Sequence, residues 1–184
     1  IEINDFAVTV AKTALWIAES QMMKETEDVV HMSLNFLPLK SYTNIAEGNA
    51  LEINWEDIIH KYQLSYIMGN PPFVGASMMT KQQKEQAVSI YGKIKLSNSI
   101  DYVGAWYHKA AAYIDGTTIR VSFVSTNSIT QGEQVAPLWD KLVNRYGLHI
   151  DFAYRTFKWN SEASEKAAVH CVIIGFSQYI NHNK

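Results

Sequence analysis

Leu64-Ser65-Tyr66-Ile67-Met68-Gly69-Asn70-Pro71-Pro72-Phe73 is the stretch on which the reading of this chain turns. Leu64 to Met68 is an apolar run of strand length. It stops abruptly at Gly69-Asn70-Pro71-Pro72, because two prolines lack the N–H groups that a ladder needs. A polar side chain held on a stiff turn just past the carboxyl end of a strand lies where an open α/β sheet places its active site.

Working outward, Ile1 to Ile3 reads as the tail of a buried strand. Asn4-Asp5 offers a helix cap, and Phe6 to Met23 follows as a helix with Phe6, Val10, Ala14 and Ile17 on one face. Lys24 to Lys40 has no clear period and reads as a polar connector. Asn44 to Leu51 reads as a short strand with Glu47-Gly48-Asn49 at its tip. Beyond the central motif, Lys81 to Tyr91 and Ile100 to Ile114 are helical patterns, and Ile119 to Ser125 is a strand. Glu133 to Tyr146 is a further helix, with Pro137 tolerable only in its first turn or two. Leu148 to Tyr154 and Val169 to Phe176 close the chain as strands. Strands alternating with helices predict an α/β domain on a largely parallel sheet. The last two strands leave no room for a helix between them and should pair antiparallel. There is no internal repeat, so residues 1–184 read as one domain.

The composition, 47% hydrophobic and 18% charged over 184 residues, is that of a globular chain with a sizeable core. The longest late apolar run, Ala167 to Phe176, is broken by His170 and is too short to span a membrane. The single cysteine, Cys171, lies inside that run, which excludes a disulfide framework and points to a reducing compartment. The six histidines are scattered without metal-ligand spacing, so no metal site is expected. A net charge of −2 lacks the basic footprint usual for nucleic-acid binding. Any grip on a duplex would have to come largely from elsewhere. The opening Ile1-Glu2-Ile3 reads as starting partway through a strand, hence as a piece of a larger polypeptide.

Methylating adenine N6 sets requirements that Asn70-Pro71-Pro72-Phe73 can meet. The exocyclic N6 of adenine is a poor nucleophile, because its lone pair is delocalised into the ring. Two acceptors on its two hydrogens favour a pyramidal nitrogen and relocalise that pair. The Asn70 side-chain oxygen and a neighbouring backbone carbonyl supply both acceptors without adding charge. The prolines stiffen the turn, and Phe73 offers a face for a base, worth about 1–3 kcal/mol per stacked base. Positioning and electrostatics would then do the catalysis, with no ionised general base. Taken alone, the same string is equally an ordinary turn.

The flanking residues separate these readings. Tyr66-Ile67-Met68-Gly69-Asn70-Pro71-Pro72-Phe73-Val74-Gly75 resembles the adenine-N6-specific, S-adenosylmethionine-dependent DNA methyltransferases of type IIL combined restriction-modification enzymes. The likeness continues through Ile1 to Val8, Asp101 to Tyr107, Ser125 to Gln134 and Phe157-Lys158-Trp159. It implies a Rossmann-like class I fold with a mostly parallel sheet and an antiparallel final strand. It also implies S-adenosylmethionine as cofactor, a flipped-out adenine of double-stranded DNA as substrate, and a prokaryotic cytoplasmic setting. Asn70, Pro71, Pro72 and Phe73 would form the catalytic motif. Glu2 would hold the cofactor's ribose hydroxyls, and Asn49 its adenine amine. One of Phe157 and Trp159 would stack on the far side of the base from Phe73, with Lys158 and Arg155 near phosphate. Ser125-Thr126-Asn127 would line the crevice. Tyr102, Trp106, Tyr113 and Trp55 read as packing. His170 and Cys171 read as structural, since adjacent strand residues face opposite ways.

Three elements of the family have no counterpart in the sequence. The glycine-rich cofactor loop and the first strand would precede Ile1, and a target-recognition region would follow Lys184, with or without an attached endonuclease. Residues 1–184 alone would therefore be inactive. A protein-glutamine or RNA-guanine amino-methyltransferase, or a non-catalytic module of this fold, are the alternative readings.

Overall fold

The computed structural model describes residues 1–33, 45–92, 97–159 and 169–179, with the side chains of Ser97, Lys158 and Trp159 outside that description. The chain divides into two compact units, Ile1–Ile59 and His60–Lys184.

In the first unit, helix α1 spans Asp5–Val30. Asn4 caps it as its sequence predicts, its Oδ1 accepting from the Ala7 N–H at 3.0 Å. The helix outruns the expected end at Met23 and stops where His31 adopts a left-handed conformation with φ 53°. Lys24, Glu25 and Glu27 are good helix formers that need no apolar period, which is why a polar connector was the wrong reading up to Val30. Residues 34–40 of that predicted connector lie outside the described residues. The predicted apolar face is not buried: Phe6 is 74%, Val10 49% and Ile17 50% exposed, and Val8 is the buried residue of the helix. The predicted strand from Asn44 is reduced to one parallel bridge between Glu2 and Glu47. The Glu2 N–H donates to the Ala46 carbonyl at 3.0 Å and the Gly48 N–H to the Glu2 carbonyl at 2.8 Å. From Asn49 the backbone turns, its carbonyl accepting from the Glu52 and Ile53 N–H groups. Asn44 itself lies outside the described residues.

The second unit is built on a four-stranded sheet of order β1-β2-β4-β3, with β1 Tyr66–Gly69, β2 Arg120–Thr126, β3 His149–Trp159 and β4 Val169–Ser177. Helices α2 (Lys81–Tyr91) and α3 (Gly104–Tyr113) cross between β1 and β2, and α4 (Val135–Asn144) follows β2. β1 and β2 are parallel, while β4 lies antiparallel to β2 on one side and to β3 on the other. The described sheet is thus mixed, and its last strand is antiparallel as expected. β1 sits at the sheet's edge with Tyr66 64% and Met68 83% exposed, where an interior parallel strand would be buried on both faces.

α3 fills one face of this sheet. Its Tyr107 ring stacks on Phe176 of β4 at 5.3 Å and meets Phe123 of β2 edge-on at 5.4 Å. Burying a phenol leaves one polar atom to satisfy, and the Tyr107 hydroxyl pairs with Ser125 Oγ at 2.9 Å. Tyr102 and Trp106 on the same helical stretch are buried, as their spacing predicts. Pro137 is the third residue of α4, within the first turn, where its missing N–H costs nothing. β3 runs beyond the expected end at Tyr154, because register shifts between Ile150/Phe152 and Tyr154/Phe157 let it keep pairing with β4 as far as Trp159.

Candidate active site

Strand register decides what comes together. Gly69 at the end of β1 lies beside Phe123, Thr126 at the end of β2 pairs with Cys171 near the start of β4, and Cys171 pairs with Phe157 of β3. One end of the sheet therefore carries the loop beginning at Asn70, the 3-10 turn Asn127–Thr130, and Phe157. The predicted catalytic motif and one predicted base-stacking aromatic share that end. Phe157-Lys158-Trp159 is not a hairpin loop as expected; the three residues are the last of β3, paired with Cys171, His170 and Val169. The Phe157 ring is half-buried, and the side chains of Lys158 and Trp159 lie outside the described residues. Arg155 of the same strand is exposed.

Within the motif, Pro71 is buried while Asn70 and Pro72 are exposed and Phe73 is half-buried. The Asn70 side chain hydrogen-bonds to nothing among the described residues, so its oxygen and amide are available to a ligand. The following backbone is firmly held. The Val74 N–H donates to the Pro72 carbonyl at 3.2 Å, and the Val74 carbonyl accepts from the Tyr102 N–H at 2.9 Å. The Ala76 N–H donates to Asp101 Oδ1 at 2.8 Å. A free side chain on a fixed backbone is what recognition of an external amine requires.

Asp101 proves more connected than its sequence suggests. Its Oδ2 accepts from Ser128 Oγ at 2.5 Å and from Gln134 Nε2 at 2.9 Å, and its own N–H donates to Gln134 Oε1 at 3.0 Å. Gln134 is 6% exposed, and the Tyr91 hydroxyl donates to the Asp101 carbonyl at 3.1 Å. Burial, with the Asp101 charge adding to it, pushes the Tyr91 phenol far above its ordinary range, so it stays a donor. Sequence reasoning gave Asp101 and Gln134 no role. Both lie in stretches that carry the family resemblance, but their separation of 33 positions leaves no local signal that they meet.

Other expectations need adjustment. Ser125 does not line the crevice: it is fully buried under Tyr107, while Thr126 and Asn127 are half-buried. Thr126 Oγ1 pairs with Ser128 Oγ at 2.7 Å. Cys171 is buried and burial pushes its thiol pKa up, away from nucleophilic character. His170 beside it points outward and is exposed rather than buried.

In the first unit, Glu2 is half-buried, and its Oε1 accepts from the Asn4 N–H at 2.9 Å. Its second carboxylate oxygen has no hydrogen bond among the described residues. Asn49 is held by an Asx turn, its Oδ1 accepting from the Leu51 N–H at 2.9 Å. That bond uses one lone pair of the amide oxygen and leaves the other, with the Nδ2 group. Gly48 sets up this turn with φ +142°, and a Cβ there would also sit 2.8 Å from Ile53 Cδ1. Trp55 is buried, with its indole N–H donating to the Ala50 carbonyl at 2.9 Å, so it packs as predicted.

The chain is 44% identical over 179 residues to DNA methyltransferase A of Bacillus subtilis (strain 168), a match covering 96% of this chain and 20% of that protein. Among solved structures, the type IIL restriction-modification enzyme MmeI, determined in complex with DNA, superposes with a TM-score of 0.91 at 46% identity. That match covers 98% of this chain and 24% of MmeI. The chain thus spans between a fifth and a quarter of the length of these relatives. The family described as "MmeI, DNA-methyltransferase domain" matches residues 1–184. With that match unbroken along the sequence and the backbone following MmeI so closely, the chain belongs to the MmeI DNA-methyltransferase domain family.

Proposed function

We propose that residues 1–184 form part of one methyltransferase domain that transfers a methyl group from S-adenosylmethionine to N6 of an adenine flipped out of double-stranded DNA. In this reading the domain works inside a larger restriction-modification polypeptide, in the cytoplasm of a prokaryote. Other regions of that polypeptide read the target sequence and supply most of the cationic grip, consistent with the net charge of −2. The observation that carries the reading is Asn70: an exposed carboxamide without a hydrogen-bond partner among the described residues, on a loop whose backbone is pinned at Val74 and Ala76.

Asn70 Oδ1 and a backbone carbonyl of the Asn70-Pro71-Pro72 turn accept the two N6 hydrogens, drawing the nitrogen toward a pyramidal geometry with its lone pair directed away from the ring. The Phe73 ring lies against one face of the base. Phe157 or Trp159, at the same end of the sheet, takes the other face, which offsets part of the unstacking that base flipping requires. Lys158 and Arg155 serve the neighbouring phosphates.

The cofactor residues fit their assigned group chemically. Glu2 retains a carboxylate oxygen for a ribose diol, and Asn49 retains a lone pair for an adenine amine. When bound, S-adenosylmethionine supplies an electrophilic methyl on a sulfonium sulfur. The proton lost by N6 leaves to solvent after transfer, since the motif contains no base to hold it.

Asn70→Ala in a full-length polypeptide carrying this chain tests the assignment. The lost acceptor matters mainly as the nitrogen pyramidalises, so kcat should fall by about 100-fold or more. The cofactor Kd, read by calorimetry, should stay within about threefold, since Asn70 touches only the substrate amine. Methyl incorporation should be followed into DNA, RNA and protein in parallel, with the modified nucleoside identified from the DNA arm. Turnover near wild type in the variant, or incorporation into RNA or protein alone, would sink the proposal.

A further inference from the structure

We propose that Asp101 is a positioning residue, and that its carboxylate fixes the loop following Asn70-Pro71-Pro72-Phe73 in the conformation that presents Asn70 to the base. This inference rests on the methyltransferase reading above. The carboxylate gathers three segments far apart in sequence. Oδ1 takes the Ala76 N–H of the motif loop at 2.8 Å. Oδ2 takes the Ser128 hydroxyl, from the turn after β2, at 2.5 Å, and the Gln134 amide, at the start of α4, at 2.9 Å. The next residue closes a second clasp, the Tyr102 N–H reaching the Val74 carbonyl at 2.9 Å. Between them, Asp101 and Tyr102 hold the backbone two and four residues beyond Pro72, while the Asn70 side chain makes no hydrogen bond among the described residues.

The arrangement demands an acidic side chain rather than its amide. All three partners of the carboxylate are donors, and an ionised Asp is an acceptor only. Gln134 cannot turn over to suit an amide, because its Oε1 already accepts the Asp101 backbone N–H at 3.0 Å. Asp101→Asn therefore sets one amide NH2 against another in a site where Gln134 is 6% exposed. The same geometry names the repair. In Asp101→Asn with Gln134→Glu, the new Asn NH2 donates to one Glu oxygen while the other still accepts the residue 101 N–H. The Ser128 hydroxyl can rotate to accept from the Asn and to donate to Thr126 Oγ1, its 2.7 Å neighbour.

The test is made in the full-length polypeptide, with wild type and Asn70→Ala as references. Asp101→Asn should lower kcat on DNA by about 10- to 100-fold, the scale expected when a reacting group is misplaced by about an ångström. The cofactor Kd should change less than about threefold, since Asp101 touches none of the groups assigned to the cofactor. The double variant Asp101→Asn, Gln134→Glu should recover kcat to within about threefold of wild type, because it restores the donor–acceptor match. Ser128→Ala, which removes one donor without leaving a clash, should lower kcat by about two- to fivefold at nearly unchanged Tm. It carries the test, with the double variant, should Asp101→Asn alone fail to fold. Asp101→Asn that lowers Tm but keeps kcat within twofold of wild type overturns the inference, leaving Asp101 merely structural. So does a double variant that folds and stays as slow as the single one, or Ser128→Ala with unchanged kcat if the single variant does not fold. A wild-type polypeptide that methylates no DNA overturns the functional reading and this inference together. Active wild type with inactive Asn70→Ala and unaffected Asp101→Asn overturns this inference alone.

Discussion

Helices α1 and α3 were both legible as helices, yet they meet opposite fates. α3 spans Gly104–Tyr113 and is buried almost all round, with Ala105, Tyr107, Ala110 and Ala111 at 0% exposure. α1 is more than twice as long, Asp5–Val30, and buries Val8 alone. The difference is not one of apolar content. α1 carries Phe6, Val10, Leu15, Trp16, Ile17 and Met22, all exposed. A helical period specifies that a face exists and says nothing about what covers it. α3 has a sheet to lie on: Phe123 and Phe176 present rings to its Tyr107, and Gly104 lets the helix approach Ile100, Tyr91 and Leu138.

The sharpest test of the tight packing around α3 is acid. His108 is 1% exposed, and neither ring nitrogen has a hydrogen-bond partner among the described residues. Tyr91 meets it edge-on at 5.0 Å and Tyr146 at 6.4 Å. Burial foremost, and then the Lys141 and Arg145 charges of the neighbouring α4 and its end, push its pKa down from 6.5 to about 3. The sign follows directly. The unfolded chain takes up this proton near pH 6.5 and the folded one only near 3, so the stabilisation is complete above pH 6.5 and lost as pH falls toward 3. At about 1.4 kcal/mol per pKa unit the loss over that window is on the order of 5 kcal/mol. Urea unfolding between pH 7 and 4 should show it, and His108→Phe should flatten that part of the profile. A slope unchanged in the variant would mean that His108 is not held neutral by its surroundings.

Next in size is Gly104. An added Cβ would lie 2.6 Å from Ile100 Cγ2, 2.9 Å from the Tyr91 hydroxyl and 3.2 Å from Leu138 Cδ1. Gly104→Ala should gain helix propensity elsewhere but lose here, by about 1–3 kcal/mol of overpacking. Thermal unfolding would read this as a lower Tm. A stabilised variant would show that the helix can shift outward and that the packing around α3 is looser than described.

The same contrast explains what the sequence disclosed. The strand before Asn70, the abrupt stop at Pro71-Pro72 and the span of α2, Lys81–Tyr91, were readable because each depends on neighbours in sequence: prolines, caps, short periods. Asn4 caps α1 as its sequence predicts, and in the structure Thr80 caps α2 in the same way. The Asp101, Ser128 and Gln134 cluster was not readable, since its members meet only through the parallel crossover that brings the loop after β1 beside the turn after β2. Ser125 was misplaced for a related reason. Position at a strand's end suggested the crevice, whereas strand parity turns its side chain inward to Tyr107. β3 outran its predicted end because bulges are invisible to a period-2 count.

The smallest effect is expected on α1, and it is the one that bears most directly on the comparison. Phe6 stands 74% exposed in the first turn beyond the Asn4 cap, where its N–H lies 2.6 Å from Asp5 Oδ1 and its side chain has no aromatic neighbour among the described residues. A core phenylalanine removed to a small side chain costs about 3–5 kcal/mol. A substitution on an open surface changes stability by no more than about 0.5 kcal/mol. Phe6→Gln in residues 1–184 should fall in the second class, because glutamine keeps the helix propensity and the cap is untouched. In a full-length polypeptide the same substitution measures whatever that polypeptide places on the face. A small Tm change in the 184-residue chain paired with a large one in the longer protein would mean that α1 is a core helix whose cover is supplied by other regions. Equal, small changes in both would leave α1 as a solvent-facing helix with an unusual apolar stripe. A large loss already in the 184-residue chain would break the contrast with α3 altogether.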